Sequence, residues 1–585
     1  MVAQPMATHK MKRRIRFKVV ELHLRKTVKT LILRCNRGGG IVIMLSLLAG
    51  CGGFEIPDPI DAINRATGTK QRATKRVIFG VVTADDPAAV TVGNGILLQG
   101  GSAIDAAVAM GFAMSVTYPA RVGLGGGGVC LAGGGRAGKI QSLDFLPRAA
   151  TSKGRYTDRP SAIPTMVRGM AALHARHGRL SWQAVIAPAK SFAREGFIVT
   201  KAFEGDLSKF SVPLFADEVT RTTFSDRRGK AFTAGQRLRQ IDLNTVLATI
   251  SGRGGGEFYN GILAKRLVAA SKAAGGSLGS EELRNFLPKW QDPISVQIGK
   301  NMLHAPPPPA SAGIVAIQMM QLGLEGSKRA AGGRAGQGHL IAEAAKRSLG
   351  ERLKWLGRDY GTSAQVQQLL SPAHAKDLMS SFSSMKAAPA EKFVDASHKV
   401  KQLDASASFL VVDGDGLVVA CTLTMYHLFG TGRMAPGLGI VLAAAPGEKG
   451  RNPMPLGPVV VTRAKDNAFR FAFSSSGGAT AATAMANVMF KTLLAKKNLQ
   501  AAINEPRLHY ETDTDEVVIE DSEKKDRLVS LISLGHKVRR LPSIGRVNAI
   551  SCPEALPSPK PQCDVKADPR GSGVTSTVKF QKQEQ

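Results

Sequence analysis

The chain has 585 residues, is 43% hydrophobic and 5% aromatic, and has a mean hydropathy of −0.04. It reads as soluble and globular, long enough for one large or several ordinary domains. The formal net charge is +33, but no zinc-ligand spacing, aromatic RNA-binding motif or concentrated basic helix beyond the N-terminus accompanies it, so no nucleic-acid partner is expected.

Much of the charge is local. Eleven Lys/Arg and one acid, Glu21, precede Gly38, which leaves about +23 on the remainder. Ile41 to Leu48 is a short apolar run, too short to span a bilayer, which needs about 20 residues. Leu48-Ala49-Gly50-Cys51 follows and looks like a bacterial lipoprotein cleavage box. Residues 1–51 are therefore expected to be an export leader, with lipid on Cys51. The body would be anchored in the bacterial cell envelope, facing the periplasm, and its basic coat would suit anionic lipid. A buried N-terminal strand, or an over-long start with Met11 as the true one, is the competing reading. Residues 52–76 are polar and Pro-containing and read as a tether. Globular sequence starts at Val77.

The six cysteines are Cys35, Cys51, Cys130, Cys421, Cys552 and Cys563. No pair has metal-ligand spacing, so neither a metal nor another cofactor is expected. Cys130 and Cys421 sit in apolar strand-like runs and are expected to be buried. Cys552 and Cys563 can pair in an oxidising compartment.

Further along, Gly100 to Val108 opens a helix. Ser102 is its N-cap, with Asp105 in the capping-box place. Ile104, Val108 and Phe112 share one face, and Pro119 ends it. Gly123 to Gly128 formally contains G-x-G-x-x-G. Val129-Cys130-Leu131 then continues as strand where a dinucleotide site needs a helix, so the glycines read as close backbone packing. Trp182–Phe192 and His339–Leu356 have helical spacing. Residues 327–337 read as a loop. Phe409 to Val412 and Leu417 to Leu423 are strand-like, and Asp413-Gly414-Asp415-Gly416 between them makes a β-hairpin. Ser406 and Ser408 stand just before the first strand, a place where hydroxyls are ordinarily solvated. From Pro553 the sequence is rich in Pro, Lys and Gln, and 552–585 is expected to be a disordered tail.

Gly-Gly-Ser-Ala-Ile-Asp-Ala-Ala-Val at 100–108, Pro119, the glycine run at 123–128 and the Val411-Val412-Asp413 hairpin together resemble the gamma-glutamyltranspeptidase family of N-terminal-nucleophile hydrolases. The resemblance spans roughly Val77 to Ser551. It implies an α+β fold, the four-layer αββα sandwich. It also implies that the chain cuts itself between Ala405 and Ser406, into a large-chain part (77–405) and a small-chain part (406–551). Ser406 then falls on the nucleophile, where the family usually has threonine. Its freed α-amine, titrating near pH 8 in model peptides, would take the hydroxyl proton. Thr424 falls on the residue that bonds the nucleophile, and Gly477 and Gly478 on the oxyanion-hole glycines.

The substrate side departs from the pattern. Leu146 takes the place of an arginine that grips the glutamyl α-carboxylate. Arg148, two residues on, is the candidate substitute, as a bidentate carboxylate partner. Tyr426 replaces an asparagine, Glu448 falls on an aspartate by simple offset, and Met454-Pro455 replaces a Ser-Ser pair. The implied function is a self-processing amide hydrolase or acyl transferase. It would cleave a γ-glutamyl or related acyl amide, on a small molecule or peptide, through an acyl-enzyme on Ser406. The alternative is a catalytically inactive envelope lipoprotein using the fold as a binding or structural module. A glutathione transpeptidase proper is the third reading, if Arg148 and Glu448 rebuild the pocket.

Overall fold

The structure, a computed structural model, describes residues 76–582 apart from 151–159, 277, 331–335, 357–365, 395–403 and 448–454. The leader with Cys51, the tether up to residue 75, Glu448 and Met454 lie outside the described residues.

In chain order the strands that build the core are β1 (Arg76–Ala84), β2 (Gly127–Gly133), β3 (Gln141–Phe145), β4 (Lys289–Gln291), β5 (Ile294–Ile298), β6 (Asn301–Ala305), β7 (Ser406–Asp413), β8 (Val418–Thr424), β9 (Val459–Arg463), β10 (Phe469–Ser476), β11 (Arg546–Leu556), β12 (Asp564–Lys566) and β13 (Val574–Lys582). They form a seven-stranded sheet, β13–β1–β7–β8–β2–β3–β4, and a six-stranded sheet, β12–β11–β10–β9–β6–β5. Every pairing in both is antiparallel.

The two-residue period of a strand separates the cores. In β7, Ala407, Phe409 and Val411 join a cluster with α1 (Pro87–Leu98) and α2 (Ala103–Thr117) on the outer face. Leu410 and Val412 join Phe79, Val460 and Ile550 between the sheets. On the far face of the second sheet, α3 (Ala312–Arg329) and α4 (Ala481–Met489) pack on Val459, Val461 and Phe473. The layers are therefore α, β, β, α: the fold is the α+β four-layer αββα sandwich. No helix among the described residues is long and apolar enough to cross a membrane.

The signals at the start of α2 and in the hairpin were realised as read, whereas residues 327–329, read as loop, continue α3. The Ser102 hydroxyl accepts from Asp105 N at 3.2 Å, and the Asp105 carboxylate accepts from Ser102 N at 2.8 Å. In the hairpin turn, Asp413 Oδ1 accepts from Asp415 N and Leu417 N. Its Oδ2 accepts from Ala103 N at the start of α2, where a carboxylate suits the exposed N–H groups. The run at 123–128 is a packing device. A Cβ at Gly126 would land on the Thr424 carbonyl oxygen, and one at Gly125 on that of Val441.

The chain's end differs from expectation. Residues 552–582 are not a disordered tail: they finish β11 and supply β12 and β13. β13 pairs with β1 along its whole length, Arg76 opposite Lys582 through Ala84 opposite Val574. Backbone pairing with a waiting edge needs little side-chain hydrophobicity, so a Pro- and Lys-rich composition concealed it. Cys552 and Cys563 form a disulfide within this segment. Cys130 and Cys421 are buried, as read, and are joined across the β2–β8 pair.

Removing residues 574–585 is expected to lower the Tm and produce concentration-dependent light scattering, because β1 becomes a bare edge. A truncated chain that melts and scatters like the full one would refute this. Burial also pushes His304, His509 and His536 down to about 4, about 3 and about 4. Below pH 6.5 these three side chains bind more protons in the unfolded chain than in the folded one, and the Asp86 carboxyl, pushed up to about 6 by burial, offsets only one of them. Stability should fall as pH drops from 6.5 towards 4, by up to about 1.4 kcal/mol per pH unit per histidine. Urea unfolding at pH 7, 6 and 5 checks it, and an unchanged midpoint would count against it.

Candidate active site

Ser406 opens β7 directly opposite Thr424, the last residue of β8. Its parity is that of Leu410 and Val412, so its side chain points between the sheets. It is 1% exposed, and its buried Oγ has no hydrogen-bond partner among the described residues. Leaving a buried hydroxyl unsatisfied costs about 1–3 kcal/mol, and Ser142, Ser348 and Ser475 Oγ share this state.

The preceding peptide bond is held on its carbonyl side. Ala405 O accepts from Thr424 Oγ1 at 3.0 Å and from Met425 N at 3.4 Å. Tyr426 N donates to Thr424 Oγ1 at 2.8 Å, so the threonine proton is left for Ala405 O. Two donors converging on one carbonyl polarise it and would stabilise negative charge on its oxygen. An unpartnered hydroxyl follows on the next residue.

Behind this pair the two sheets are stitched by polar groups. Asp85 accepts from Ser408 N (2.9 Å), Ser476 Oγ (2.8 Å) and Asn548 Nδ2 (2.8 Å). Asn548 Nδ2 also donates to Ser408 Oγ at 2.9 Å. Gly477 and Gly478 come immediately after Ser476, at the end of β10, with φ of 136° and 60°. Such angles favour glycine, as expected where backbone N–H groups must be turned towards a site. Asp404, just ahead of Ala405, is bound by Arg546 and Arg121. Asp85, Asn548, Arg121 and Arg546 were not singled out from the sequence; each is brought in from far along the chain, and no local pattern marks it.

The substrate-side residues gather on the other flank. Leu146 is buried. Arg148 donates to Asp144 Oδ2 at 2.6 Å and to Leu146 O at 3.1 Å, so its guanidinium is engaged by a carboxylate of its own segment. Tyr426 has a φ of 59°, unusual for a bulky residue, and its hydroxyl donates to Pro147 O at 3.2 Å. The structure thus brings Ala405, Ser406, Thr424 and Tyr426 together and sets Tyr426 against the 146–148 segment.

Among the described residues, His339, Glu343 and His536 place ligand-type atoms within 4.8 Å of one another. Their shared carboxylate is already held by Arg347 and faced by Lys346 at 3.7 Å. Two cations at that carboxylate oppose a metal ion there.

The fold is that of the N-terminal-nucleophile hydrolases: the cephalosporin acylase of Bacillus halodurans superposes with a TM-score of 0.72, covering 87% of this chain and 98% of that one at 24% identity. The gamma-glutamyltranspeptidase family profile matches residues 89–578, and the chain belongs to that family. The glutathione hydrolase proenzyme of Escherichia coli K12 is 29% identical over 512 residues, 80% of this chain and 88% of its own. The acylase ACY 1 proenzyme of Pseudomonas sp. V22 is 28% identical over 537 residues, 85% of this chain and 94% of its own.

Thr424→Val keeps the shape but removes the donor to Ala405 O. Any cutting of the Ala405–Ser406 bond is expected to slow by about 10²–10³-fold, while Thr424→Ser leaves it near the parent rate. Intact mass against time reads both, and an unslowed Val variant would discard the role given to this hydroxyl.

Proposed function

We propose that this chain cuts itself before Ser406 and then works as an amide hydrolase or acyl transferase with Ser406 as nucleophile. The observation that carries the reading is the unpartnered Ser406 Oγ beside a carbonyl held by two donors. In the first reaction the Oγ–C(Ala405) bond forms, the C–N bond breaks, and the hydroxyl proton passes to the departing nitrogen. Water then hydrolyses the ester, leaving a carboxylate on Ala405 and a free α-amine on Ser406. That amine titrates near pH 8 in model peptides and can take the hydroxyl proton in each later turnover. An amide substrate is attacked in the same way, with Gly477 and Gly478 N–H groups as the proposed donors to its oxyanion, worth several kcal/mol. Water or an amine takes the acyl group from Ser406.

The acyl group is proposed to be related to γ-glutamyl but not held by glutamate's charged end. Leu146 and Tyr426 are apolar or already bonded where polar partners are expected, and Arg148 is engaged by Asp144. Each missing partner weakens a charged ligand by about 1–3 kcal/mol. The two disulfides favour an oxidising compartment and, with the Leu48–Cys51 box, support a lipid-anchored protein of the cell envelope.

Purified protein should yield a fragment beginning Ser-Ala-Ser-Phe, of about 19 kDa by its share of the 61.9 kDa chain. On a gel this fragment should appear only after reduction, since Cys130 and Cys421 lie on opposite sides of the cut. The cut protein should hydrolyse a valeryl p-nitroanilide at least about tenfold better in kcat/KM than the γ-glutamyl one, as one lost hydrogen bond predicts. A preference for γ-glutamyl would return the glutathione transpeptidase reading. A chain that stays whole after long incubation would end the enzymatic proposal.

A further inference from the structure

Asp404 sits two residues ahead of the proposed cut, and its carboxylate is held by two arginines from distant parts of the chain. Arg546 clasps it with Nη1 on Oδ2 at 2.9 Å and Nη2 on Oδ1 at 3.0 Å. Arg121 Nη1 lies 2.6 Å from Oδ1. The same Arg121 nitrogen donates to the carbonyl oxygens on either side of Ala405: Asp404 O at 3.4 Å and Ser406 O at 3.3 Å. The carbonyl between them, that of Ala405, is left to Thr424 and Met425.

Both arginines are themselves fixed. Asp206 holds Arg121 from its other side, at 2.6 and 2.8 Å. Arg546 Nε donates to Ser476 Oγ at 3.1 Å, and that serine is bonded to Asp85. Burial opposes ionisation of Asp404, yet Arg546 and Arg121 hold its carboxyl well below the usual range.

A partly buried ion cluster of this kind is a weak stabiliser, because desolvation offsets most of the attraction. Its geometry does something a packed apolar group would not. Three successive carbonyls and one carboxylate are fixed, while the one hydroxyl among them is free of partners.

We infer that Asp404 is a positioning residue for self-cleavage, its carboxylate seated on Arg121 and Arg546 so that the Ala405–Ser406 bond is presented to the Ser406 hydroxyl. The inference rests on the self-processing proposed above. Asp404 does not touch the reacting atoms; it acts through the backbone it anchors. Seating a reactant in near-attack geometry is the kind of contribution whose loss costs one to two orders of magnitude in rate.

The test follows cutting by intact mass in full-length Asp404→Asn, Asp404→Glu and parent protein, each with a thermal melt of the uncut fraction. The expected result is cutting slowed about 10–100-fold in Asp404→Asn, most of the rate regained in Asp404→Glu, and matching melts. Arg546→Lys, which keeps a charge but loses the paired clasp, should be intermediate. Asp404→Asn cutting at the parent rate would overturn the inference while leaving self-processing intact. Equal slowing in Asn and Glu variants, with lowered melts in both, would also overturn it, showing a structural role only. A parent protein that is never cut would remove both this inference and the reading beneath it.

Discussion

Everything at this site depends on which way one strand faces. β7 lies inside the seven-stranded sheet, with a helix layer on one side and the second sheet on the other. Ser406, Ser408, Leu410 and Val412 share one parity; Ala407, Phe409 and Val411 share the opposite one. A slip of one residue would turn Ser406 to the helix side and bury Phe409 between the sheets. The register is pinned at the far end by the Asp413 turn, whose carboxylate bonds its own loop and the start of α2. Its neighbour β8, on which Thr424 stands opposite Ser406, is tied in turn to β2 by the disulfide between Cys421 and Cys130, direct cross-strand partners. The hydroxyl's position is thus set by constraints several residues away from it.

The buried polar groups around the serine form two systems with different work. Asp85, Asn548, Ser408 and Ser476 satisfy one another across the sheet–sheet interface, as buried polar groups must. Arg121, Asp206, Asp404 and Arg546 carry full charges, in an environment where each would be costly alone. Ser476 belongs to both systems, since it donates to Asp85 and accepts from Arg546. A change in the segment ahead of Ser406 is therefore felt at the end of β10, where Gly477 and Gly478 begin. Low local dielectric makes such linked groups act together more strongly than their separate bonds suggest.

What could be read from the sequence was local or patterned. The capping box at Ser102, the Asp-Gly hairpin and the glycine run each have a short-range physical signature, and each folded accordingly. Ser406 and Thr424 were singled out because a family pattern fixes their offset from Val411-Val412-Asp413, and they stand opposite each other in the sheet. The remainder depended on long-range placement. Cys130 and Cys421 are 291 residues apart, and nothing in either neighbourhood reveals the other. Arg121 and Arg546 look like ordinary surface arginines until Asp404 is set between them. Arg148 was a plausible carboxylate grip by distance along the chain, but Asp144 occupies its guanidinium. The final segment misled because its composition says little about backbone pairing with an edge formed at the other end of the molecule.

That last pairing has a consequence for the order of events during synthesis. β1 opens the described residues and its partner β13 closes them, so β1 leaves the ribosome long before the strand it pairs with. The strand that carries Ser406 lies on the other side of β1, so the sheet around this serine stays open-edged until β13 has been made. Contacts of such sequence separation form late, because loop closure must precede them. The surroundings of the Ala405–Ser406 bond, which include Arg546 on Asp404 and Asn548 on Asp85, are therefore complete only once these late strands exist.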